Sequence, residues 1–443
     1  MLKRPKEVTF EFPQPPAPYP PSQRSGAFVG PSGVGKTTTA ISMLMGPYKH
    51  CYSRVYVFSP SCAPGVDPAW DAFLSQQTGN HHLQCTQWAA VKKVNGWKSK
   101  RVTISKSQSI VGGAQILTRK IGYFGKVGYI PKGPVFQDDH PQIVNSLILE
   151  LKKIAKAERI NGLIVQPFEP GIITEILINH GFRNCPIETS PTATVILDIR
   201  SELDEILANM SKGMRNKIRR GQTRGIQCRQ GQKSDLPVFH RLLTQTAQRR
   251  GYSIFDIRYF ERMWDILSAT DSMQLFIAEY QGEPVAAQFC INRGNTVIAK
   301  QIGWSGAHPK RHPNEALDWF TIQWAKQQGY EFYDLEGINR ADAEAIIQSE
   351  EIDYSSLDGP TQYKVRLGGN VTVLPTAFCF FTNPLLHLMY SRFGSSLAKT
   401  QFIQKADLHT PWFLAFRCIT YREKELKRNK NKIEKSFSTK SKK

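Results

Sequence analysis

The sequence predicts an α+β protein built from two successive units of similar size, preceded by a short nucleotide-loop segment and followed by a basic tail. The 443 residues allow two or three domains, each with a core of its own. Helix-like and strand-like stretches run through the same order twice, which suggests an internal duplication. No identity is visible between the two copies, so this prediction rests on element order alone. The predicted domains are 1–66, 67–228, 229–400 and 401–443.

The first unit has helical patterns on both sides of a strand-rich middle. Its segment 101–121 alternates and contains glycines, which is typical of a β-hairpin. Residues 140–160 carry apolar side chains at helical spacing. The other predictions are helices in 69–77 and 86–94, strands in 162–168 and 192–199, and a pair of helices with a dense basic end in 201–225.

The second unit repeats this order. A run of strands is predicted over 272–306, with hairpin turns at "QGEP" and "RGNT". The acid-rich segment 339–359 is predicted to be a mobile loop. The other predictions are helices in 235–251, 257–269 and 314–329 and a strand in 330–338.

The segment "FVGPSGVGKTTTA" (28–40) contains the phosphate-binding pattern G-x-x-x-x-G-K-[ST], formed by Gly30, Gly35, Lys36 and Thr37. In this pattern, backbone N–H groups at a helix N-terminus and the lysine hold the phosphates. The threonine hydroxyl holds Mg²⁺. A strand-like run precedes the loop and a helix-like run follows it, so the local context also fits.

A working NTPase needs a second strand that ends in an Asp bound to the metal. The available segment, "GPVFQDDH" (133–140), has Pro134 where a central strand would run. Residues 26–61 resemble the opening of the poxvirus-type DNA-packaging ATPases, and the resemblance stops there. We therefore expect a truncated P-loop β-α-β unit without activity, and Mg-ATP as a ligand only if this unit functions.

The formal net charge of +21, with a pI of about 9.6, predicts an anionic partner such as nucleic acid, a nucleotide-linked sugar or acidic lipid. Eight scattered cysteines without a C-x-x-C pair indicate neither a zinc site nor a disulfide framework. No secretory leader or membrane span is predicted. The tail 421–443 holds ten Lys or Arg against three Glu, so we expect it to be disordered. It would either attract RNA or anionic lipid, or only keep the chain soluble.

Five motifs from about residue 67 to about residue 392 resemble, in their order, the FemX/FemAB family. Members of this family are aminoacyl-tRNA-dependent peptidyltransferases that build peptidoglycan cross-bridges. The resemblance implies two acetyltransferase-like (GNAT-type) domains, in agreement with the predicted duplication. The motifs are segments 70–97, 129–139, 212–226, 303–338 and 362–369.

The resemblance implies transfer of an amino acid from aminoacyl-tRNA to an amine of a UDP-linked or lipid-linked muropeptide. Both substrates are polyanions, so the basic charge fits them. The chain would act in the cytoplasm, in contact with the inner face of the membrane if the substrate is lipid-linked, and without DNA. The glycine-rich loop of acyl-CoA acetyltransferases is missing, so neither coenzyme A nor another cofactor is expected. Two alternatives remain, namely an NTPase of DNA-packaging type and a non-catalytic binder of anionic glycan precursors.

The resemblance also implies roles for individual residues. Lys92 and Arg215 occupy the positions that hold the diphosphate of the precursor, although the basic cluster around Arg215 also fits a solvated helix end. Asp138 or Asp139 falls near the acceptor amine, and one of the two is expected to be only a loop cap. Trp304 walls the substrate cleft or belongs to the core.

Lys364 occupies the position of the C-terminal lysine of the family, beside the RNA phosphate and the reacting ester. The segment "QYKVRLGG" (362–369) alternates, which predicts a strand. Lys364 and Arg366 would then share one basic face, with Arg366 as a further substrate-binding residue. Family members often carry Phe-Lys here, whereas this chain has Tyr363 before the lysine.

Overall fold

The computed structural model describes residues 67–77, 82–106, 109–121, 125–185, 190–349 and 351–383. Gly30, Gly35, Lys36 and Thr37 lie outside these ranges, as does the basic tail, so the predictions for both stay predictions. The described residues from Ala69 onward belong to one compact unit.

The first half of the described chain is strand-rich, with a long helix after the hairpin, as predicted. The second of its helices begins after Cys85, and the long helix begins at Pro141, a residue suited to the first helical turn. In chain order the elements are α1 Pro68–Ser75, α2 Thr86–Lys93, β1 Lys98–Lys106, β2 Ser109–Ile121, β3 Gly125–Pro131, β4 Val135–Phe136, α3 Pro141–Ala157, β5 Ile160–Gln166, α4 Ile172–Asn179 and β6 Arg183–Cys185.

The second half contains the predicted helices and the predicted three-stranded run. Its elements are β7 Ala193–Asp198, α5 Leu203–Ala208, α6 Lys212–Thr223, β8 Ile226–Gln230, α7 Leu236–Arg250, α8 Ile257–Leu267, β9 Met273–Tyr280, β10 Glu283–Arg293, β11 Thr296–Trp304, α9 Pro313–Gln327, β12 Phe332–Asp334, α10 Arg340–Gln348, α11 Gly359–Arg366, β13 Asn370–Val373 and β14 Ala377–Phe381.

Each half forms a seven-stranded sheet with the same central connection. The first sheet has the order β1-β2-β3-β5-β14-β6, with β4 paired to β2. The second has the order β13-β7-β12-β11-β10-β9-β8. In each, one pair of strands is parallel, β3 with β5 and β11 with β12, and one long helix, α3 or α9, connects that pair. This shared β-α-β connection supports the predicted duplication.

The strands change sheet between Cys185 and Ala193, because β7 and β8 both pair within the second sheet. The predicted boundary at 228/229 falls after β7 and inside β8. Near the end of the described chain, β14 returns to the first sheet and pairs with both β5 and β6. The first sheet therefore depends on a strand from the second half, whereas all strands of the second sheet come from that half.

Three hydrophobic clusters form the core. One lies between the halves and joins residues of α1 and α2, such as Trp70 and Trp88, to residues of α7, α8 and β10, such as Phe239, Phe260 and Phe289. A second packs α3 and α4 on the first sheet. A third packs α6 and α9 on the second sheet. The cluster between the halves fixes how the residues at their junction face one another.

The segment 339–359, predicted as a mobile loop, contains α10. Asn339 caps this helix by accepting a hydrogen bond from the backbone N–H of Asp342 at 3.1 Å. Ala343, a residue of this helix, is buried. The helix was not predicted because the segment is acidic and has few apolar residues, so it shows little helical periodicity.

Among the described residues, no helix is long and apolar enough to cross a membrane. In this part of the chain no disulfide joins Cys85, Cys185, Cys228, Cys290 or Cys379.

Candidate functional site

Four lysines from four different elements or turns lie where the two halves meet, and the charges of Lys300 and Glu336 connect them. Lys92 ends α2 and Lys132 follows β3 in the first half. Lys300 in β11 and Lys364 in α11 come from the second half. We call these residues the lysine cluster. Its acidic neighbours are Asp334 at the end of β12 and Glu336 two residues later, both buried.

Lys92 is almost completely buried, with only 4% of its surface exposed. Its ammonium group lies 4.8 Å from the ring centroid of Trp88, and 5.7 and 5.8 Å from those of Phe255 and Tyr259. Burial, assisted by the charge of Lys300, lowers the pKa of Lys92 from 10.5 to about 7. A lysine at such a pKa can lose or gain its proton near neutral pH.

Lys132 is 3% exposed, and its ammonium group lies 5.4 Å from the ring centroid of Phe168. Its backbone φ of 47° is in the left-handed region, which side chains other than glycine seldom adopt. Burial lowers the pKa of Lys132, while the charges of Asp334 and Glu336 act in the opposite direction. The turn after β3 thus places a cation inside the protein.

Lys300 and Lys364 both bond to residues of the turn that follows β12. The ammonium group of Lys300 forms a salt bridge with the carboxylate of Glu336. Lys364 donates hydrogen bonds to the backbone carbonyls of Glu336 and Gly337, the latter at 2.8 Å. Burial lowers the pKa of Lys364, and the charge of Glu336 leads the carboxylates that oppose this shift.

The segment around Lys364 is a helix, so the predicted strand is wrong. Asp358 caps α11 by accepting a hydrogen bond from the backbone N–H of Thr361 at 2.7 Å, and Pro360 lies in the first turn. These residues at the start of the segment favour a helix more strongly than the short alternation favours a strand. Consequently Lys364 and Arg366 do not share a strand face.

A buried carboxylate lies behind Lys364. Asp318 of α9 is 2% exposed and accepts a hydrogen bond from Gln288 at 2.7 Å and another from the hydroxyl of Tyr363. Burial raises the pKa of Asp318 from 3.8 to about 6, although both hydrogen bonds and the charge of Lys364 lower it. Burial and the nearby carboxylate raise the pKa of Tyr363 above its usual range.

The other predicted residues lie apart from this cluster. Asp138 and Asp139 are exposed in the loop before α3. Arg215 donates hydrogen bonds to the backbone carbonyls of Ala208, at 2.9 Å, and Met210. In the part of the chain that the structure describes, no hydrogen bond or ion pair joins these side chains to the lysine cluster.

Arg366 and Trp304 have mainly structural contacts. The guanidinium of Arg366 lies 5.0 Å from the ring centroid of Tyr354, and its backbone carbonyl accepts a hydrogen bond from Ser211. Trp304 is partly exposed at the end of β11, where its indole N–H donates to the carbonyl of Ala307 at 3.0 Å. Arg249 stacks on its ring at 5.2 Å.

Sequence reasoning missed Lys132, Lys300, Asp318, Asp334 and Glu336. Asp318 was detectable, because it lies in the apolar stripe of α9 between Leu317 and Ile322, where an acid is out of place. Lys300 was also detectable as a charge inside a buried strand run. The pairing of Lys300 with Glu336 could not be detected in the sequence, because it depends on how β11 and β12 align.

The described residues contain no group of three or more His, Cys, Asp or Glu side chains arranged to hold a metal ion. The cluster instead offers positive charge and ammonium donors in a protected position. Such an arrangement can bind oxyanions and can stabilise negative charge that develops during a reaction.

Two family models match the described part of the chain. Residues 67–173 match the FemAB family, and residues 208–354 match an acetyltransferase (GNAT) domain. These matches cover the first sheet up to α4 and most of the second sheet. The predicted fold of two GNAT-type domains is thereby confirmed.

Individual proteins that are similar to this chain indicate the same family. A lipid II:glycine glycyltransferase of Staphylococcus aureus (strain MRSA252) is 29% identical over 221 residues, which are 47% of this chain and 52% of that protein. The chain thus spans about half the length of this curated relative. The crystal structure of FemX superimposes with a TM-score of 0.64 at 20% identity and covers 73% of this chain and 97% of FemX. The chain is therefore similar to proteins of the FemX/FemAB family, in agreement with the resemblance of its sequence motifs.

Proposed function

We propose that this protein transfers an amino acid to an amine of a lipid-linked peptidoglycan precursor, with aminoacyl-tRNA as the donor. The observation that carries the proposal is the position of Lys364, the family-type lysine, within a cluster of four lysines at the junction of two GNAT-type domains. The relatives named as lipid II:glycine glycyltransferases support the lipid-linked acceptor. The donor rests on the family resemblance.

The reaction requires three things from the protein. The attacking amine must be neutral, the oxyanion of the tetrahedral intermediate must be stabilised, and the departing ribose oxygen must receive a proton. The amine gives up one proton as the new amide bond forms, and the ribose oxygen takes one up as the ester bond breaks. Charged groups at the junction can stabilise the oxyanion and can supply the proton to the ribose oxygen.

Lys364 is our candidate for stabilising the oxyanion. Its ammonium group is held by the carbonyls of Glu336 and Gly337, so its position is set before the substrate binds. A preorganised donor costs little reorganisation during the reaction. Met in its place would keep the length of the side chain but remove the charge.

Lys92 and Arg215 are our candidates for the diphosphate of the precursor. Lys92 is already in the cluster, whereas Arg215 would have to exchange its hydrogen bonds with Ala208 and Met210 for phosphate oxygens. Asp138 or Asp139 would accept a hydrogen bond from the acceptor amine. Lys92→Met and Arg215→Met should therefore act mainly on KM.

No observation in the described residues favours the NTPase alternative, whose phosphate loop lies outside them. The proposed reaction places the protein in the cytoplasm, at the inner face of the membrane, where the predicted basic charge would assist contact with anionic lipid.

The test is a transfer assay with the purified full-length chain. A set of aminoacyl-tRNAs, each charged with a radioactive amino acid, is mixed with lipid II or with the UDP-linked muropeptide. We expect label in the precursor with one or a few of these tRNAs, and none when the free amino acid and ATP replace the charged tRNA. The proposal fails if no combination gives transfer by protein that is folded by circular dichroism.

Lys36→Ala provides the matched test of the alternative. If the full-length chain hydrolyses ATP and Lys36→Ala abolishes this, the P-loop unit functions. We expect neither ATP hydrolysis nor any effect of this change on transfer.

A further inference from the structure

Asp318 is a buried carboxyl group to which the proposed reaction gives no role. It lies in α9, and only 2% of its surface is exposed. Removing a carboxylate from water is costly unless hydrogen bonds replace the lost water. Here both oxygens are bonded, since Oδ1 accepts from Nε2 of Gln288 at 2.7 Å and Oδ2 accepts from the hydroxyl of Tyr363. The carboxyl group is therefore held between two other elements, β10 and α11.

The hydrogen bond from Tyr363 determines how α11 is turned. This helix has only eight residues, so its internal hydrogen bonds give it little stability of its own. Among the described residues, one hydrogen bond joins α11 to α9, and it runs from Tyr363 to Asp318. Consecutive residues of a helix point about 100° apart, so fixing the side chain of Tyr363 also fixes the direction of Lys364. The ammonium group of Lys364 thereby reaches the carbonyls of Glu336 and Gly337, the latter at 2.8 Å.

The charge of Asp318 also acts on Lys364. Burial lowers the pKa of Lys364. Four carboxylates oppose this shift, namely those of Glu336, Asp334, Asp318 and Asp358. In the described part of the chain the ammonium group bonds to carbonyls and to no carboxylate, so these acids favour its protonated form through space.

The other titratable groups around Asp318 are neutral or already paired. They are Glu315 on α9, Cys228 on β8, Cys290 on β10, Tyr333 on β12 and Tyr363 on α11. Burial raises the pKa of each of these cysteines and tyrosines, so none of them is charged near neutral pH. Glu315 is paired with Lys217 of α6 at 3.2 Å. Lys364 is therefore the cation whose charge acts on Asp318.

We propose that Asp318 and Tyr363 are positioning residues for Lys364. The carboxylate fixes the hydroxyl of Tyr363, and this contact turns α11 so that the ammonium group of Lys364 stays on its two carbonyls. The negative charge of Asp318 also keeps that ammonium group protonated. The FemX/FemAB resemblance does not imply this pair, because members of the family often carry phenylalanine at the position of Tyr363. The role in transfer rests on the proposed function, whereas the effect on the position and charge of Lys364 does not.

The first measurement is NMR of the full-length chain labelled with ¹³C and ¹⁵N in lysine, with the signal of Lys364 assigned through Lys364→Met. Asp318→Asn keeps the shape and an acceptor for Tyr363 but removes the charge, so the pKa of Lys364 should fall. Tyr363→Phe breaks the contact, so the signal of Lys364 should move from its wild-type position at neutral pH. Glu315→Gln is the matched control, because it removes a buried carboxylate of the same helix that does not bond to Tyr363. It should leave Lys364 unchanged.

The second measurement is the dependence of kcat and KM on pH in the transfer assay. Above pH 6, where Asp318 is ionised, Asp318→Asn should lower kcat by about tenfold and leave KM nearly unchanged. Below pH 6 the wild-type carboxyl group is itself protonated, so the two proteins should converge. A purely structural role of Asp318 would lower stability without this dependence of kcat on pH.

The inference is overturned if Lys364 has the same pKa in wild type and Asp318→Asn and the same signal in Tyr363→Phe. If Asp318→Asn does not fold, Tyr363→Phe alone decides. An effect of both variants on Lys364 in a chain that transfers no amino acid would support the positioning and refute the proposed function. Transfer with equal kcat profiles in wild type and Asp318→Asn would support the proposed function and refute this inference.

Discussion

The two long crossover helices, α3 and α9, occupy corresponding places in their sheets but bury different faces. The buried residues of α3 are all apolar, namely Val144, Leu147, Ile148, Leu151 and Ala155. The buried face of α9 also includes Glu315, Asp318 and Thr321. One copy of the β-α-β connection is thus an ordinary hydrophobic layer, whereas the other contains a polar network.

The difference separates the structural half from the half that carries most of the candidate chemistry. Burying a carboxyl group costs free energy unless hydrogen bonds replace the lost water. In α9 such bonds exist, since Gln288 and Tyr363 both donate to Asp318. Tyr363 is adjacent to Lys364, so the network of α9 reaches the lysine cluster. The first half contributes to the cluster only the cations Lys92 and Lys132.

The largest effect is expected from placing a carboxyl group in the apolar helix. Leu147→Asp buries a charge against the first sheet, where none of the buried residues of α3 can donate a side-chain hydrogen bond. We expect a loss of at least about 4 kcal/mol in the free energy of unfolding, measured by urea denaturation. The matched control is Leu149→Asp on the same helix, because Leu149 is 47% exposed. Similar losses in both variants would show that α3 does not bury one apolar face against the sheet.

The next effect concerns the pH dependence that Asp318 gives to stability. Its pKa rises from 3.8 to about 6 on folding, so between these values the folded state holds a proton that the unfolded chain has released. Stability relative to Asp318→Asn should therefore be greatest below pH 4 and fall by about 3 kcal/mol as the pH rises through 6. Denaturation of both proteins from pH 4 to pH 7 measures this difference. A constant difference would mean that Asp318 ionises normally.

Lys364→Met should lower turnover by about 10² if its ammonium group stabilises the oxyanion. The thermal midpoint should change little, because Met has nearly the same length and volume. Lys310→Met, at an exposed position of the loop before α9, is the control and should keep full turnover. Near-normal turnover of Lys364→Met would remove the catalytic assignment, and unfolding of this variant would make the residue structural.

The sequence predicts most of the framework because the framework depends on local patterns. The hairpin of β1 and β2, the helix α3 and the run from β9 to β11 all follow from periodicity and turn residues. Strands β13 and β14 were not predicted. The return of β14 to the first sheet depends on pairing with β5 and β6, which no local pattern contains.

The candidate site is less predictable for the same reason. Lys92 and Lys364 were found through family motifs, and the structure places both at the junction. Lys132 and Glu336 were missed because each is unremarkable in its own segment, and the pairing of Lys300 with Glu336 depends on how β11 and β12 align. Their significance arises only when turns from both halves meet, and this meeting is set by the hydrophobic cluster between the halves.

The smallest effect tests whether the polar network of α9 supports the cluster. Tyr363→Phe removes the hydroxyl that donates to Asp318 and leaves the aromatic ring in place. Phenylalanine is also the residue that FemX/FemAB proteins often carry at this position. We expect a loss of about 1 kcal/mol in stability above pH 6, where Asp318 is ionised, and a smaller loss below pH 4. The reason is that a charged acceptor makes the stronger hydrogen bond. Tyr354→Phe, which keeps the ring beside Arg366, is the control and should show no such dependence on pH. If Tyr363→Phe loses equal stability at both pH values, the hydroxyl contributes to packing alone, and the network behind Lys364 has no link to the charge of Asp318.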